Sequence, residues 1–145
     1  AAGEPLPLTQ AEVKREGWAI ECRINADDPF RNFLPSTGRL VRFQPPEESM
    51  FQADTSKRYG VRVDTGVYEG GEIPMHYDSM IAKLIVTAAT REIAIARMKR
   101  ALTEFTIRGI KTTIPFQLEV INHPDFINGT YDIGWVGRYL EEKKA

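Results

Sequence analysis

Polar and apolar side chains alternate through residues 18–26, which read WAIECRINA. Successive side chains of a β-strand point to opposite faces, so Glu21, Arg23 and Asn25 would share one face. The opposite face would carry Ile20, Cys22 and Ile24. The arginine is always protonated and offers a planar fork of hydrogen-bond donors. This polar strand face is therefore either a solvated surface or one wall of a polar site, with Arg23 as its candidate chemical group.

The composition is that of an ordinary globular chain. Its 145 residues favour one domain, and 42% of them are hydrophobic and 27% charged. A formal net charge of −1 gives no basic surface for nucleic acid. The single cysteine excludes an internal disulfide, and His76 and His123 lie far apart without ligand-like spacing. We therefore predict no metal site built from this chain's own residues.

The ends and the apolar runs of the chain indicate where it works. The longest apolar run, residues 81–86, contains Lys83 and is too short to cross a bilayer, so no membrane role is predicted. The sequence starts at Ala1 without a methionine, and no signal-peptide pattern is visible. We expect a piece of a longer protein from the cytoplasm or from another reducing compartment such as the mitochondrial matrix.

Hydrophobic periodicity and turn residues divide the chain into strands followed by helices. A short helical turn is expected near residues 9–16, where Thr9 and Glu12 have capping-box spacing. The predicted strands are residues 18–26, 39–44, 59–65 and 79–88, and the predicted helices are residues 91–105, 113–122 and 133–142. Residues 45–58 are expected to form a polar surface excursion. Strands first and helices later predict an α+β domain with an antiparallel β-sheet and two to three C-terminal helices.

Helix boundaries are marked by specific residues. Thr90 is the predicted N-cap of the first long helix, Gly109 its stop, and Pro124 the end of the second. The buried stripe of the first helix is predicted to contain Ala94, Met98, Ala101, Leu102 and Phe105.

Six short motifs occur in an order that resembles the C-terminal domain of biotin carboxylase. They are residues 21–29 (ECRINADDP), 34–38 (LPSTG), 60–62 (GVR), 77–84 (YDSMIAKL), 94–98 (AIARM) and 109–112 (GIKT). Biotin carboxylase is the ATP-dependent component of acetyl-CoA, propionyl-CoA and pyruvate carboxylases. The resemblance implies that residues 1–8 are a linker from a missing ATP-grasp domain and that residues 9–145 form the C-terminal domain.

The resemblance gives Arg23 a catalytic and substrate-binding role. Its motif matches the arginine that contacts bicarbonate and the ureido oxygen of biotin in this family. There a guanidinium would stabilise the negative charge that builds on the ureido oxygen as biotin is carboxylated. The alternative is a surface arginine in a cross-strand pair with Glu21 or another neighbour.

Four further residues match positions with roles in the family. Ile133 matches the aliphatic residue that packs on adenine, although an isoleucine near a helix start is usually a core residue. Tyr59, Arg62 and Asp78 match positions at or near the subunit contact of the bacterial homodimer. The alternative for the last two is an ion pair between Arg62 and Asp78 within one sheet.

The resemblance also implies cofactors and partners. ATP and Mg²⁺ or Mn²⁺ would be bound by the missing ATP-grasp region, because residues 1–145 contain no phosphate-binding loop. Biotin would arrive on a carboxyl carrier protein or domain, and a carboxyltransferase would use the product. The fragment alone is expected to be inactive. The competing hypothesis from another class is a non-catalytic dimerisation or scaffold module with the same fold.

Overall fold

The computed structural model describes residues 2–49, 59–75 and 78–143. The strands within these ranges are β1 (Trp18–Asn25), β2 (Asp27–Asp28), β3 (Leu34–Pro35), β4 (Gly38–Arg39), β5 (Arg42–Gln44), β6 (Val61–Thr65), β7 (Glu72–Ile73), β8 (Met80–Ala88) and β9 (Thr106–Arg108). The helices are α1 (Arg91–Glu104), α2 (Ile114–Asn122), α3 (Pro124–Asn128) and α4 (Trp135–Glu142), with 3₁₀ turns at Gln10–Glu12 and Pro29–Arg31. His76, Tyr77 and residues 50–58 of the predicted excursion lie outside the described residues.

A three-stranded antiparallel sheet forms the centre of the domain, in the order β1-β8-β6. β8 is the middle strand, and its continuous apolar sequence predicts a strand buried between neighbours. Its alternate residues Leu84 and Val86 are completely buried. β1 is an edge strand of this sheet, so only one of its two edges pairs with another strand.

The apolar face of the sheet packs on α1. Thr90 caps the helix as predicted, because its hydroxyl accepts a hydrogen bond from the Ile93 amide at 3.3 Å. All five residues of the predicted stripe are buried. They contact the side chains of β1, β6 and β8 in one core, which contains Ile24, Val63, Leu84, Val86, Met98, Leu102 and Phe105. The predicted α+β class is therefore confirmed.

The helices after α1 are joined by an aromatic cluster. Trp135 and Tyr139 of α4 stack with ring centroids 4.7 Å apart, and the ring of His123 lies edge-on to Trp135 at 4.9 Å. The Trp135 indole donates to Asp125 Oδ2 at 2.8 Å. These contacts fix α4 against the junction of α2 and α3.

One predicted strand is wrong as a single element. Residues 39–44 form two strands, because β4 pairs with β7 whereas β5 pairs with β9. The change of partner occurs at Leu40 and Val41. Leu40 is buried and its amide donates to the Gly71 carbonyl, while the Val41 amide donates to the Arg108 carbonyl. The backbone bends at Val41, so the two strands are separated there.

Short elements not predicted from the sequence include β9 and α3. β9 occupies Thr106–Arg108, between the end of α1 and Gly109, so α1 ends before the predicted stop. Pro124 ends α2 as predicted, but it also begins α3, where a proline is tolerated because the first helical N–H has no helical partner. The His123 side chain caps α3 by accepting from the Asp125 amide at 3.2 Å.

Candidate functional site

The predicted polar face of β1 carries an exposed guanidinium. The Arg23 side chain is 68% exposed, and its Nε lies 3.5 Å from Glu21 Oε1, two residues earlier on the same strand. A surface ion pair at this separation contributes little to stability. Arg23 can therefore readily exchange Glu21 for another anion. The alternative of an ion pair with Glu21 is thus present, but the pair lies along one strand and not across two.

The sheet register places charges from three strands in rows across the same face. Arg23 of β1 lies opposite Lys83 of β8, which lies opposite Asp64 of β6. In the next row Glu21 and Arg62 flank Ile85. Residues directly opposite each other in antiparallel strands share a face. The structure therefore brings Arg23 and Arg62, predicted for different roles, onto one charged sheet surface.

The backbone around Arg23 is bonded on the edge that faces away from β8. The Arg23 carbonyl accepts from Gln117 Nε2 at 2.5 Å and from the Thr113 hydroxyl at 3.3 Å. Thr113 also binds Asn25, since its hydroxyl accepts from the Asn25 amide and its own amide donates to the Asn25 carbonyl, both at 3.1 Å. The first turn of α2 thus pairs with the open edge of β1.

The end of β1 is held by a chain of polar side chains. The pairing register with β8 shifts between Ile24 and Asn25, at the end of the strand. Asn25 Nδ2 donates to Ser79 Oγ at 3.2 Å, and that hydroxyl donates to Asp27 Oδ2 at 3.0 Å. Asp27 is only 9% exposed, so the chain of hydrogen bonds ends on a buried carboxylate.

An apolar groove of about 290 Å³ runs beside Arg23, between β1 and the helices that follow α1. Its lining includes Cys22, Arg23, Phe116, Gln117 and Val136. Burial, and to a lesser extent the charge of Glu21, raises the pKa of the Cys22 thiol to about 12. Cys22 therefore stays a neutral thiol and acts as a wall of the groove, not as a nucleophile.

Ile133 lies outside the core, contrary to what is usual for an isoleucine near a helix start. Its side chain is fully exposed. The turn that presents it is bonded around Asp132, whose Oδ1 accepts from the Gly134 amide at 2.8 Å and from Arg138 Nη2 at 2.9 Å. The Arg138 guanidinium and the Gly134 amide lower the pKa of the Asp132 carboxyl below its ordinary value.

Of the three residues predicted at a subunit contact, Arg62 lies on β6, Tyr59 just before β6 and Asp78 just before β8. Arg62 pairs with Asp64 and not with Asp78, through Nε–Oδ1 and Nη2–Oδ2 contacts of 2.8 and 2.6 Å. These hydrogen bonds lower the pKa of the Asp64 carboxyl. Asp78 is exposed and accepts from the Met80 amide at 3.0 Å, and Tyr59 is 37% exposed.

The prediction missed residues that complete the surroundings of Arg23. The sequence places Thr113 and Gln117 only within a predicted helix, and Lys83 only within an apolar run. A threonine just before a helix start signals a cap. Nothing in the sequence shows that the Thr113 hydroxyl bonds to Arg23, which lies 90 residues earlier.

Two features typical of other classes of site are absent from the described part of the chain. No group of three or more His, Cys, Asp or Glu side chains that could hold a metal ion occurs in residues 2–49, 59–75 and 78–143. Over the same ranges, no helix has the length and apolar character needed to cross a membrane.

Comparison with known proteins gives consistent sequence matches. A family model described as the biotin carboxylase C-terminal domain matches residues 21–138. The chain is similar to the propionyl-CoA carboxylase alpha chain of Ruegeria pomeroyi, with 49% identity over 98% of this chain and 22% of that protein. It is also 49% identical to biotin carboxylase 1 of Bacillus subtilis, over 96% of this chain and 29% of that protein. The chain thus spans less than a third of the length of these relatives.

Solved structures share the fold. The biotin carboxylase subunit of a pyruvate carboxylase superposes with a TM-score of 0.85 at 42% identity, over 97% of this chain and 29% of that one. The biotin carboxylase domain dimer of Hydrogenobacter thermophilus 2-oxoglutarate carboxylase, in complex with MgADP, ADP and bicarbonate, also gives 0.85, at 38% identity over 96% of this chain and 28% of that one. The resemblance inferred from the six motifs is confirmed.

Proposed function

The chain belongs to the biotin carboxylase C-terminal domain family, and from that premise we propose that it forms one wall of the bicarbonate and biotin site of a biotin carboxylase. The observation that carries the proposal is Arg23 itself. It is a mostly exposed guanidinium on a strand that pairs with β8 along one edge and whose carbonyl at Arg23 is bonded to α2 on the other edge. A charged group on a rigid element holds its position better than one on a loop.

The chemistry of biotin carboxylation suits such a group. ATP and bicarbonate would give ADP and carboxyphosphate, which releases CO₂ and phosphate. The phosphate would remove the N1 proton of biotin, so that negative charge builds on the ureido oxygen. A guanidinium already in place at that oxygen stabilises the charge without reorganisation during the reaction. The weak contact with Glu21 leaves Arg23 free to exchange partners when the substrate arrives.

ATP would contact this domain at one point. Ile133 presents a fully exposed aliphatic side chain on a turn fixed by Asp132, which fits a residue that packs on one face of adenine. The divalent metal and the phosphates would be bound by the ATP-grasp region of the parent chain. The described residues supply no carboxylate cluster that could replace that region. The domain alone would therefore be inactive.

The remaining partners follow from the same assignment. Residues 1–8 would link the ATP-grasp region to the domain formed by residues 9–145, in a cytoplasmic or mitochondrial-matrix enzyme. Biotin would be presented by a carrier protein or domain, and a carboxyltransferase would receive the carboxyl group. Tyr59, Arg62 and Asp78 would lie at or near the contact of a homodimer. A relative of this chain has been solved as a biotin carboxylase domain dimer, which favours that assembly.

The test uses the full-length carboxylase that contains this domain. Biotin-dependent ATP hydrolysis is measured for the wild type, Arg23→Ala, Ile133→Ala and a control variant, Arg100→Ala. Arg100 is an exposed arginine paired with Glu104 on α1, so it matches Arg23 in chemistry but lies on a different element. Arg23→Ala should lower the biotin-dependent rate by about a hundredfold or more, with the KM for ATP unchanged. Ile133→Ala should instead raise the KM for ATP.

A wild-type rate for Arg23→Ala, or a loss equal to that of Arg100→Ala, would contradict the catalytic role. The domain would then be a dimerisation or scaffold module that shares only the fold with its relatives. An unchanged KM for ATP in Ile133→Ala would remove the adenine contact and leave the assignment of Arg23 intact.

A further inference from the structure

We propose that Thr113 and Gln117 are positioning residues that fix the backbone of Arg23 and thereby aim its guanidinium at the substrate. This inference rests on the proposed role of Arg23. It concerns residues of α2, which contribute to the site without touching the substrate.

Arg23 needs an external support because of where it lies. β1 is an edge strand, and β8 binds only one of its edges. The Arg23 side chain is mostly exposed, and its only described ion-pair contact is with Glu21 at 3.5 Å. The direction of the side chain is therefore set mainly by the backbone, and the outward-facing backbone groups of an edge strand are otherwise unpaired.

Thr113 satisfies those groups with its full hydrogen-bonding capacity. A hydroxyl has one donor and two acceptor positions. The Thr113 hydroxyl donates to the Arg23 carbonyl at 3.3 Å and accepts from the Asn25 amide at 3.1 Å and from Gln117 Nε2 at 3.2 Å. It thus behaves like a residue of a neighbouring strand, although it belongs to the start of a helix.

The orientation of the Gln117 amide is fixed by the same contacts. Its Nε2 donates to the Arg23 carbonyl at 2.5 Å and to the Thr113 hydroxyl. The reversed amide would place an oxygen against a carbonyl oxygen, which cannot hydrogen-bond. Gln117 Oε1 is buried and has no hydrogen-bond partner among the described residues, so the donations of Nε2 determine the rotamer.

The helix gives up a cap to make this contact. Thr113 occupies the N-cap position of α2, where a threonine hydroxyl usually accepts from an amide of the first turn. Here the Thr113 side chain makes no cap hydrogen bond, whereas that of Thr90 caps α1. The Thr113 hydroxyl is directed at β1 instead. It therefore holds β1 and does not cap α2.

The test replaces these groups with apolar side chains of similar shape in the full-length carboxylase. Thr113→Val and Gln117→Met should each lower the biotin-dependent rate about 10- to 100-fold, because small displacements of a positioned group have effects of this size. The KM for ATP should stay within about twofold, as expected when only a transition-state contact is weakened. Thr113→Ser keeps the hydroxyl and should restore the rate.

The matched control is Asn122→Leu. Asn122 lies on the same helix, and its side-chain Nδ2 also donates to a backbone carbonyl, that of Leu118, at 2.6 Å. It makes no described contact with β1. Its replacement should leave the biotin-dependent rate unchanged. This should hold even if Asn122→Leu and Gln117→Met lower the thermal unfolding temperature by the same amount.

A double-mutant cycle separates this inference from the proposed function. If Gln117 acts through Arg23, Gln117→Met should have no further effect on the rate in the Arg23→Ala background. Loss of rate in Arg23→Ala with full activity in Thr113→Val and Gln117→Met would overturn the positioning role and leave Arg23 catalytic. Full activity in Arg23→Ala would overturn the proposed function itself. Additive losses in the cycle would show that α2 acts by another route.

Discussion

The turn before α2 should be unusually sensitive to a single methyl group. Gly109 has φ of +102°, in a region that side chains of L-residues rarely adopt. A Cβ built on Gly109 would overlap the Arg39 carbonyl oxygen and would lie 3.0 Å from both the Val41 amide nitrogen and its Cγ2. Two of these three neighbours are backbone atoms, which cannot rotate away.

The size of the effect follows from two terms. Placing a non-glycine residue at such a φ costs about 1–2 kcal/mol, and forcing extra volume into a packed site costs a further 1–3 kcal/mol, roughly. Gly129 provides the matched control, because its φ is +73° and a Cβ added there would have no atom within 4 Å. Gly129→Ala should therefore show only the cost of the backbone angle, without the cost of the packing overlap.

The assay is equilibrium denaturation of this chain in urea, followed by the fluorescence of Trp18 and Trp135. Gly109→Ala should lower the free energy of unfolding by about 2–5 kcal/mol. Gly129→Ala should lower it by about 1–2 kcal/mol. Equal losses in the two variants would refute the steric argument, since the backbone angle would then account for the whole effect.

Two further predictions concern charged and reactive groups. Arg62→Met should raise the pKa of Asp64 towards its ordinary value in an NMR titration, because the hydrogen bonds from Arg62 lower it. Because the pKa of Asp64 is lower in the folded than in the unfolded state, the interaction stabilises the wild type above the unfolded-state pKa, and this stabilisation is lost as the pH falls through the folded-state pKa. The difference in unfolding free energy between the wild type and Arg62→Met should therefore be largest above the unfolded-state pKa and should vanish at lower pH. The same variant should weaken the proposed homodimer of the full enzyme in sedimentation equilibrium, whereas an unchanged dimer would remove Arg62 from the contact. Cys22, with its pKa raised to about 12, should react with iodoacetamide at pH 8 far more slowly in the folded chain than in urea. A similar rate in both states would mean that the thiol is not shielded.

The elements that were predicted correctly are those with a clear local pattern. β1 and α1 agree with their predicted bounds to within one residue at each end. Their periodicities of two and 3.6 residues come from burying one face, so the sequence alone reveals them. Thr90 was identified as a cap because its side chain serves the helix that follows it.

The parts that were missed depend on contacts between distant segments. Whether residues 39–44 form one strand or two depends on β7 and β9, which lie about 30 or more residues later, as the register shows. β9 has only three residues, too few to show a period. Thr113 has the sequence signature of a cap, and only the fold shows that its hydroxyl binds β1. Local rules therefore found the strand that carries Arg23 but not the residues that hold it.

The position of Arg23 on an edge strand explains why a helix is part of the site. A central strand would have both edges bonded, but its residues would be flanked by neighbouring strands on both sides. An edge strand leaves its side chains accessible from one side, at the cost of unpaired backbone groups. The first turn of α2 bonds those groups at Arg23 and Asn25, and the groove beside them remains open next to the guanidinium. The arrangement combines an accessible charge with a fixed backbone. The turn at Gly109 directs the chain from β9 into α2, so a small perturbation of this turn should disturb both the charge and the backbone of Arg23.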